Sequence, residues 1–120
     1  MAQIMLLDDN ADMLQALAEV LEINDHNVIP ITNPEEGLSM LFESPHLPDL
    51  IISDLTMPRM DGLEFLGHVR QTPHLSHIPV AIMSGRVTDS DDAFAAGANA
   101  FLNKPFKFHE LESVLSTLVR

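Results

Sequence analysis

The residues best suited to chemistry in this chain are three aspartates that directly follow short apolar segments. Asp8 and Asp9 follow the segment Gln3–Leu7, and Asp54 follows a second segment at 49–53. Carboxylates held close together repel one another and bind protons more tightly, unless a cation lies among them. Mg²⁺ prefers oxygen ligands and is typically held by one or two carboxylates together with several waters. The three aspartates predict a divalent-cation site, provided that the fold brings the two segments together.

Two further polar groups end apolar segments in the second half of the chain. Ser84 ends the segment 78–84 and is followed by Gly85, and Lys104 follows the segment 100–103. Each residue alone is ordinary, because polar residues are common in the turns that follow strands. Polar groups at the carboxyl ends of four of the five segments are much less likely to arise by chance than any one of them alone.

Five apolar segments alternate with five amphipathic segments along the chain. The predicted strands are Gln3–Leu7, Asn27–Ile31, 49–53, 78–84 and Ala100–Asn103. The predicted helices are Ala11–Ile23, a helix that starts after Asn33, 62–70, 88–96 and 107–119. This alternation is typical of an α/β fold in which helices cover both faces of an open parallel sheet. In such a sheet, ligands bind at the carboxyl ends of the strands, where the polar residues lie.

Local signals refine several boundaries. Pro30 cannot donate a hydrogen bond to a neighbouring strand, so Asn27–Ile31 is expected at an edge of the sheet. Asn33 followed by proline and two acids is a helix start. Thr88 or Asp89 is expected to cap the fourth helix, and Gly97 to end it.

The polar residues and their spacing resemble those of the receiver domains of two-component response regulators, over the whole chain. The motifs that match are Asp8-Asp9-Asn10, Asp54 to Pro58 with Asp61-Gly62, Ser84-Gly85 and Lys104-Pro105-Phe106. Two departures are mild. Ser84 stands where threonine is commoner, and Gly85 stands where another small residue, often alanine, is usual.

The resemblance implies a flavodoxin-like (βα)5 fold whose five parallel strands lie in the order 2-1-3-4-5. It makes Asp54 the phosphoryl acceptor. It makes Asp9, Asp54 and the backbone carbonyl of Thr56 direct ligands of Mg²⁺ or Mn²⁺, with Asp8 acting mostly through water. Lys104 would contact the acceptor carboxylate or its phosphoryl group.

The resemblance also implies how the signal leaves the site. The Ser84 hydroxyl, beside Gly85, would move to hydrogen-bond the phosphoryl group, and Phe101 would rotate inward as the switch aromatic. The face formed by helix 4, strand 5 and helix 5 would bind the downstream partner. Thr56 and Arg86 occupy positions that tune such sites, and Arg86 is expected to reach the phosphoryl group or a nearby acid.

Composition limits the partners and the location. The chain has 120 residues, enough for one domain, a formal net charge of −12 and no cysteine. Such a charge disfavours direct binding to nucleic acid or to an anionic membrane surface. Residues 1–120 are expected to form one cytoplasmic receiver domain, either free-standing or cut from a longer regulator. It would act as a signalling protein rather than an enzyme, phosphorylated by a histidine kinase or a His-phosphotransfer protein, with homodimerisation on phosphorylation left open.

Three alternatives stand beside this interpretation. A phosphatase with an aspartate nucleophile usually has a second aspartate two residues later, where Thr56 stands. A flavodoxin-like cofactor binder would need a phosphate-binding loop after strand 1, where Asp8 and Asp9 stand. A phosphorylation-independent interaction domain of the same fold is disfavoured because the site residues are all present.

Overall fold

The computed structural model describes residues 2–119, and its centre is a five-stranded parallel sheet. The strands are β1 (Gln3–Leu7), β2 (Asn27–Ile31), β3 (Leu50–Asp54), β4 (Val80–Ser84) and β5 (Ala100–Asn103). Their order across the sheet is β2-β1-β3-β4-β5, and all neighbouring pairs are parallel. The predicted fold and strand order are confirmed. Met1 and Arg120, the ends of the predicted domain, lie outside the described residues.

Five helices cover the sheet. They are α1 (Ala11–Ile23), α2 (Pro34–Glu43), α3 (Gly62–Gln71), α4 (Ser90–Ala95) and α5 (Phe108–Leu118). A 3₁₀ turn, Val87–Asp89, directly precedes α4. None of the helices within residues 2–119 is long and apolar enough to cross a membrane.

The two faces of the sheet hold separate hydrophobic cores. Along β1, Ile4 and Leu6 pack with α1 and α5, whereas Met5 and Leu7 pack with α2, α3 and α4. Successive side chains of a strand point to opposite faces, so a strand covered on both sides is apolar throughout. This explains why the central strands read as unbroken apolar segments rather than as alternating ones.

The edge position of β2 agrees with its proline. Pro30 lies opposite Leu6 of β1, and β2 has a partner on that side alone. The missing N–H of proline therefore costs no hydrogen bond within the sheet.

Side-chain caps position two of the helices that lead away from the site. Asn10 Oδ1 accepts hydrogen bonds from the backbone N–H groups of Asp12 and Met13 at the start of α1. Asn33 caps α2 as predicted, and Gly97 adopts φ +108° just after α4, where the predicted helix ends.

Four predicted elements have boundaries displaced by one or two residues. The third strand begins at Leu50 and includes Asp54, which lies opposite Met83 of β4. The fourth begins at Val80 rather than at 78, because the Ile78 N–H closes a turn onto the Leu75 carbonyl. Helix α3 runs one residue further than expected, and α5 is one residue shorter at each end.

The prediction for the fourth helix was wrong in two respects. The segment expected as one helix at 88–96 is a 3₁₀ turn followed by the short α4. Thr88 lies inside the turn, and Asp89 precedes α4 but its side chain makes no capping hydrogen bond. The Asp89 carboxylate has other partners, which belong to the site.

Candidate functional site

The three predicted aspartates meet at the carboxyl ends of the two central strands. One carboxylate oxygen each from Asp8, Asp9 and Asp54 lies within 4.8 Å of the others. Asp8 and Asp54 are 3% and 9% exposed, and Asp9 is open to solvent. The cluster therefore has two buried carboxylates, Asp8 and Asp54, and one that is accessible to solvent, Asp9.

Neighbouring strands and local turns hold these carboxylates in place. β1 and β3 are paired up to Leu7 and Ser53, so the residues that follow them emerge side by side. Asp8 continues the sheet by donating its N–H to the Ile31 carbonyl at 3.1 Å. Asp8 Oδ1 then accepts the Asn10 N–H at 3.0 Å.

Lys104 joins the two buried aspartates. Its Nζ lies 3.0 Å from Asp54 Oδ1 and 3.1 Å from Asp8 Oδ2. The Lys104 backbone N–H donates to the Ser84 carbonyl at 2.7 Å, which ties the end of β5 to the end of β4. The ammonium thus neutralises part of the acidic cluster from a defined position.

Burial and charge shift the pKa values of the central pair. Burial raises the pKa of Asp54 above its ordinary value, the Asp8 and Asp9 carboxylates raise it further, and Lys104 offsets part of the rise. For Lys104, burial alone would lower the pKa, but hydrogen bonds and charge interactions with Asp54 and Asp8 together raise it. Lys104 therefore stays positively charged, and the acidic cluster favours the binding of a further proton or cation.

The donor set fits a hard divalent cation. Three carboxylates face one ammonium group, so the cluster keeps excess negative charge, and its side-chain ligands are all oxygens. Mg²⁺ and Mn²⁺ suit such ligands, and neither needs nitrogen or sulfur. The acidic cluster fits the magnesium site of receiver domains.

The Ser84 hydroxyl lies in a hydrogen-bond network at the end of β4, next to Asp54. Ser84 follows Met83, the partner of Asp54 across the sheet. Its Oγ donates to Asp89 Oδ2 at 2.6 Å and accepts the Arg86 backbone N–H at 3.1 Å. Arg86 Nη2 donates to Asp89 Oδ1 at 3.0 Å. The pKa of Asp89 is lowered because Arg86, and then Ser84, donate hydrogen bonds to its carboxylate.

The loop after β3 is packed tightly around a glycine. A Cβ atom added at Gly62 would lie 2.4 Å from the Asp54 carbonyl oxygen and 2.9 Å from Leu55 Cα. The Gly62 N–H donates to the Leu55 carbonyl at 2.7 Å. Thr56, in the same loop, exposes its side chain to solvent.

The remaining predicted residues lie beside this site. Phe101, in β5, is partly buried against the core formed with α2, α3 and α4. Gly85 is exposed, and an added Cβ there would meet nothing within 4 Å. The fold thus brings Asp8, Asp9, Asp54 and Lys104 into one cluster and places Ser84 and Arg86 in an adjacent network.

Asp89 is the residue of this network that the sequence interpretation missed. The sequence indicated it as a possible cap of the fourth helix. An acid five residues after a strand-ending serine is a weak signal, because only the 3₁₀ turn brings its carboxylate back to Ser84.

The fold and the site together define a class: parallel α/β domains with an acidic, lysine-containing site at the carboxyl edge of the sheet. Residues 4–116 match the response regulator receiver domain family. The chain belongs to this family of two-component signalling domains.

Curated relatives agree with the family assignment. The chain is 33% identical to response regulator Rre1 of Synechocystis over 97% of its length and 51% of that protein. It is 34% identical to the KDP operon transcriptional regulatory protein KdpE of Escherichia coli over its whole length and 52% of that protein. The chain therefore spans about half the length of these relatives.

Solved structures agree in fold. Chemotaxis protein CheY4 of Vibrio cholerae superposes with a TM-score of 0.88 at 26% identity, covering 99% of both chains. Response regulator TrrA of Thermotoga maritima, solved in complex with Mg²⁺ and BeF, superposes with a TM-score of 0.87 at 26% identity. That match covers 99% of this chain and the whole of the other.

Proposed function

We propose that this chain accepts a phosphoryl group on Asp54 from a phosphohistidine, in a reaction that depends on Mg²⁺ or Mn²⁺. The observation that supports this best is the position of Asp54. Its carboxylate lies in the acidic cluster with Asp8 and Asp9 and 3.0 Å from the Lys104 ammonium. A carboxylate beside a fixed cation and a cation site has the groups that phosphoryl transfer requires.

The proposed step conserves atoms and charge. An oxygen of the ionised Asp54 carboxylate forms a bond to phosphorus as the bond from phosphorus to the imidazole nitrogen breaks, and the electron pair stays on that nitrogen. Lys104 stabilises the negative charge on the transferring group. Water later hydrolyses the acyl phosphate to phosphate and restores the carboxylate, so the chain is a signalling acceptor rather than an enzyme that turns over a metabolite.

Asp9, Asp54 and the Thr56 carbonyl are the proposed direct ligands of the metal, with Asp8 acting through water. When bound, the metal would supply positive charge to the phosphoryl oxygens. Because Asp9 is exposed to solvent, a cation would reach these ligands directly from solution.

The proposed output begins at Ser84. Its hydroxyl would turn to a phosphoryl oxygen, and Phe101 would repack against the core beside α4. Gly85 leaves open space beside the moving hydroxyl, and Arg86 would set the lifetime of the phosphoryl group. The downstream partner would then bind the face formed by α4, β5 and α5, and phosphorylation is also proposed to favour a homodimer.

The proposed donor is a histidine kinase or a His-phosphotransfer protein. Residues 1–120 are proposed to form one receiver domain that works in the cytoplasm without binding nucleic acid or membrane itself. The curated relatives are about twice as long, and the transcriptional role in the name of KdpE is a property of that protein.

The test is incubation with Mg²⁺ and acetyl phosphate, followed by intact mass spectrometry. We expect an adduct of one phosphoryl group that is absent without Mg²⁺ and absent in Asp54→Asn. Asp61→Asn is the matched control, because it removes an acid from the same loop while asparagine still caps α3. The control should form the adduct. Failure of the wild-type protein to form it with acetyl phosphate or with a phosphorylated histidine donor would overturn the proposal.

A further inference from the structure

Ser84 has one hydroxyl proton, and in this structure it is donated to Asp89. Ser84 Oγ lies 2.6 Å from Asp89 Oδ2, and the two residues are 4% and 8% exposed. A serine hydroxyl has a single O–H donor. Ser84 therefore cannot donate to Asp89 and to a phosphoryl oxygen at the same time, because both groups are acceptors.

Asp89 is arranged as an anionic acceptor. Each of its two oxygens takes one hydrogen bond, Oδ2 from Ser84 and Oδ1 from Arg86 at 3.0 Å. Its lowered pKa keeps it ionised at neutral pH. The Arg86 side chain is 77% exposed, so its ion pair is well solvated and weak. The bond from Ser84 is the shorter and the more buried of the two.

Because Asp89 directly precedes α4, its bond to Ser84 links the serine to the start of that helix. Asp89 immediately precedes α4, yet its carboxylate points to Ser84 and Arg86 rather than capping the helix. A movement of Ser84 would therefore change the hydrogen bonding of the residue from which α4 begins.

We propose that Asp89 is a positioning residue that holds Ser84 in its resting arrangement and competes with the phosphoryl group on Asp54 for the Ser84 hydroxyl. The inference rests on the proposed function and deepens it. Phosphorylation breaks the bond between Ser84 and Asp89 and frees a carboxylate oxygen at the start of α4. The strength of the bond to Asp89 then sets the free-energy cost of turning the Ser84 hydroxyl toward Asp54 in the unphosphorylated chain.

The experiment measures the Kd of the purified chain for beryllium fluoride, a phosphoryl mimic, at saturating Mg²⁺. The chain has no Trp and no Tyr, so amide NMR shifts of the Ser84 loop are a suitable readout. Asp89→Ala should lower this Kd by roughly fivefold to tenfold, as expected for loss of one competing hydrogen bond to a charged group. Asp89→Asn, which keeps a neutral acceptor, should lie between the wild type and Asp89→Ala and remains testable if the alanine variant fails to fold.

Two controls separate competition from simple charge effects. Asp91→Ala removes the same charge from an exposed site in α4 and should leave the Kd within about twofold of the wild type, since exposed charges interact weakly through water. In a Ser84→Ala background, Asp89→Ala should have no effect, because the contested hydroxyl is gone. An effect of equal size in that background would mean that Asp89 acts through the freed Arg86 and would overturn the inference.

The outcomes also separate the inference from the proposed function. If the wild type binds the mimic and Asp89→Ala binds it no more tightly than Asp91→Ala, only the inference fails. If the wild type does not bind beryllium fluoride with Mg²⁺ at all, the proposed function fails and the inference with it.

Discussion

Asp54 is charged at a position where charge is costly in the metal-free chain. It is largely buried and shares its surroundings with two other carboxylates, and Lys104 offsets only part of the cost. Excess negative charge in the metal-free cluster favours binding of a cation. The raised pKa of Asp54 predicts a lower stability of the metal-free protein at neutral pH.

The pH dependence of stability should report this cost. The folded-state pKa of Asp54 lies above its ordinary value of 3.8, so the folded chain binds this proton more tightly than the unfolded chain does. The contribution of Asp54 is therefore most favourable at low pH and declines as pH rises from about 3.8 through the folded-state pKa. In chelator, Asp54→Asn should be more stable than the wild type at pH 7, and the difference should shrink toward pH 4.

Urea denaturation across this pH range measures the effect. Added Mg²⁺ should reduce or reverse the difference, because it binds the intact cluster better than the variant. An Asn variant that is less stable than the wild type at pH 7 without metal would show that the ion pair with Lys104 outweighs burial.

At the scale of single elements, the start of α3 is fixed by a close backbone approach. Gly62 lies against the Asp54 carbonyl and Leu55 Cα, so a methyl group there would collide with backbone rather than with a flexible side chain. Such a contact can be relieved only by moving the backbone of the loop that follows Asp54.

Gly62→Ala is expected to cost at least about 2 kcal/mol of stability, because backbone must shift to admit the methyl group. Gly67→Ala is the matched control in the same helix, where an added Cβ meets nothing within 4 Å. The control should gain about 0.5–1 kcal/mol from the higher helix propensity of alanine. Chemical denaturation of both variants tests the pair, and equal effects would contradict the close approach at position 62.

Arg70 joins α3 to the segments that precede β4 and β5. Its guanidinium donates to the backbone carbonyls of Gly97, Ser76 and Ile78 and to the Asn99 side chain. A planar, five-donor guanidinium can make this set of bonds, whereas a lysine ammonium cannot. The residue therefore fixes the spacing between three elements on one side of the sheet.

Arg70→Lys should destabilise the chain by about 1–3 kcal/mol, since the two partly buried carbonyls of Gly97 and Ile78 lose their donors. Arg59→Lys makes the same exchange at a largely exposed ion pair of 3.8 Å with Glu35 and should cost less than about 0.5 kcal/mol. Thermal unfolding of the two variants provides the comparison. A similar loss in both would rule out a special role for the Arg70 contacts.

At the scale of the whole molecule, the site joins both halves of the chain. Its groups come from the ends of β1, β3, β4 and β5, which are separated in sequence and adjacent in the sheet. Binding at this edge therefore stabilises the folded chain as a unit, because the unfolded chain has no assembled site.

Mg²⁺ should raise the melting temperature of the wild type by several degrees. A ligand at one hundred times its Kd contributes about 2.7 kcal/mol. Asp9→Asn removes the exposed proposed ligand and should lose most of this shift. Asp12→Asn removes an exposed acid of α1 outside the cluster and should retain it. Calorimetry with and without Mg²⁺ gives the answer, and an undiminished shift in Asp9→Asn would exclude Asp9 as a ligand.

The sequence by itself determined the alternation of strands and helices, the edge position of β2 and the residues of the acidic cluster. These features depend on local or periodic properties: apolar segments, the missing N–H of Pro30, and polar groups directly after strands. The strand order and the grouping of Asp8, Asp9, Asp54 and Lys104 followed from resemblance to a family, and the structure agrees with both.

Only the tertiary structure decided how Ser84 is held. The bond from Ser84 to Asp89 depends on a 3₁₀ turn where the sequence pattern predicted a continuous helix. The Gly62 contact likewise depends on a loop that folds back onto Asp54 and Leu55. The Arg70 bonds join segments that are distant in the chain. Periodicity reports which face of an element is buried, but not which single atoms meet across a turn, because those contacts depend on the packing of all elements at once.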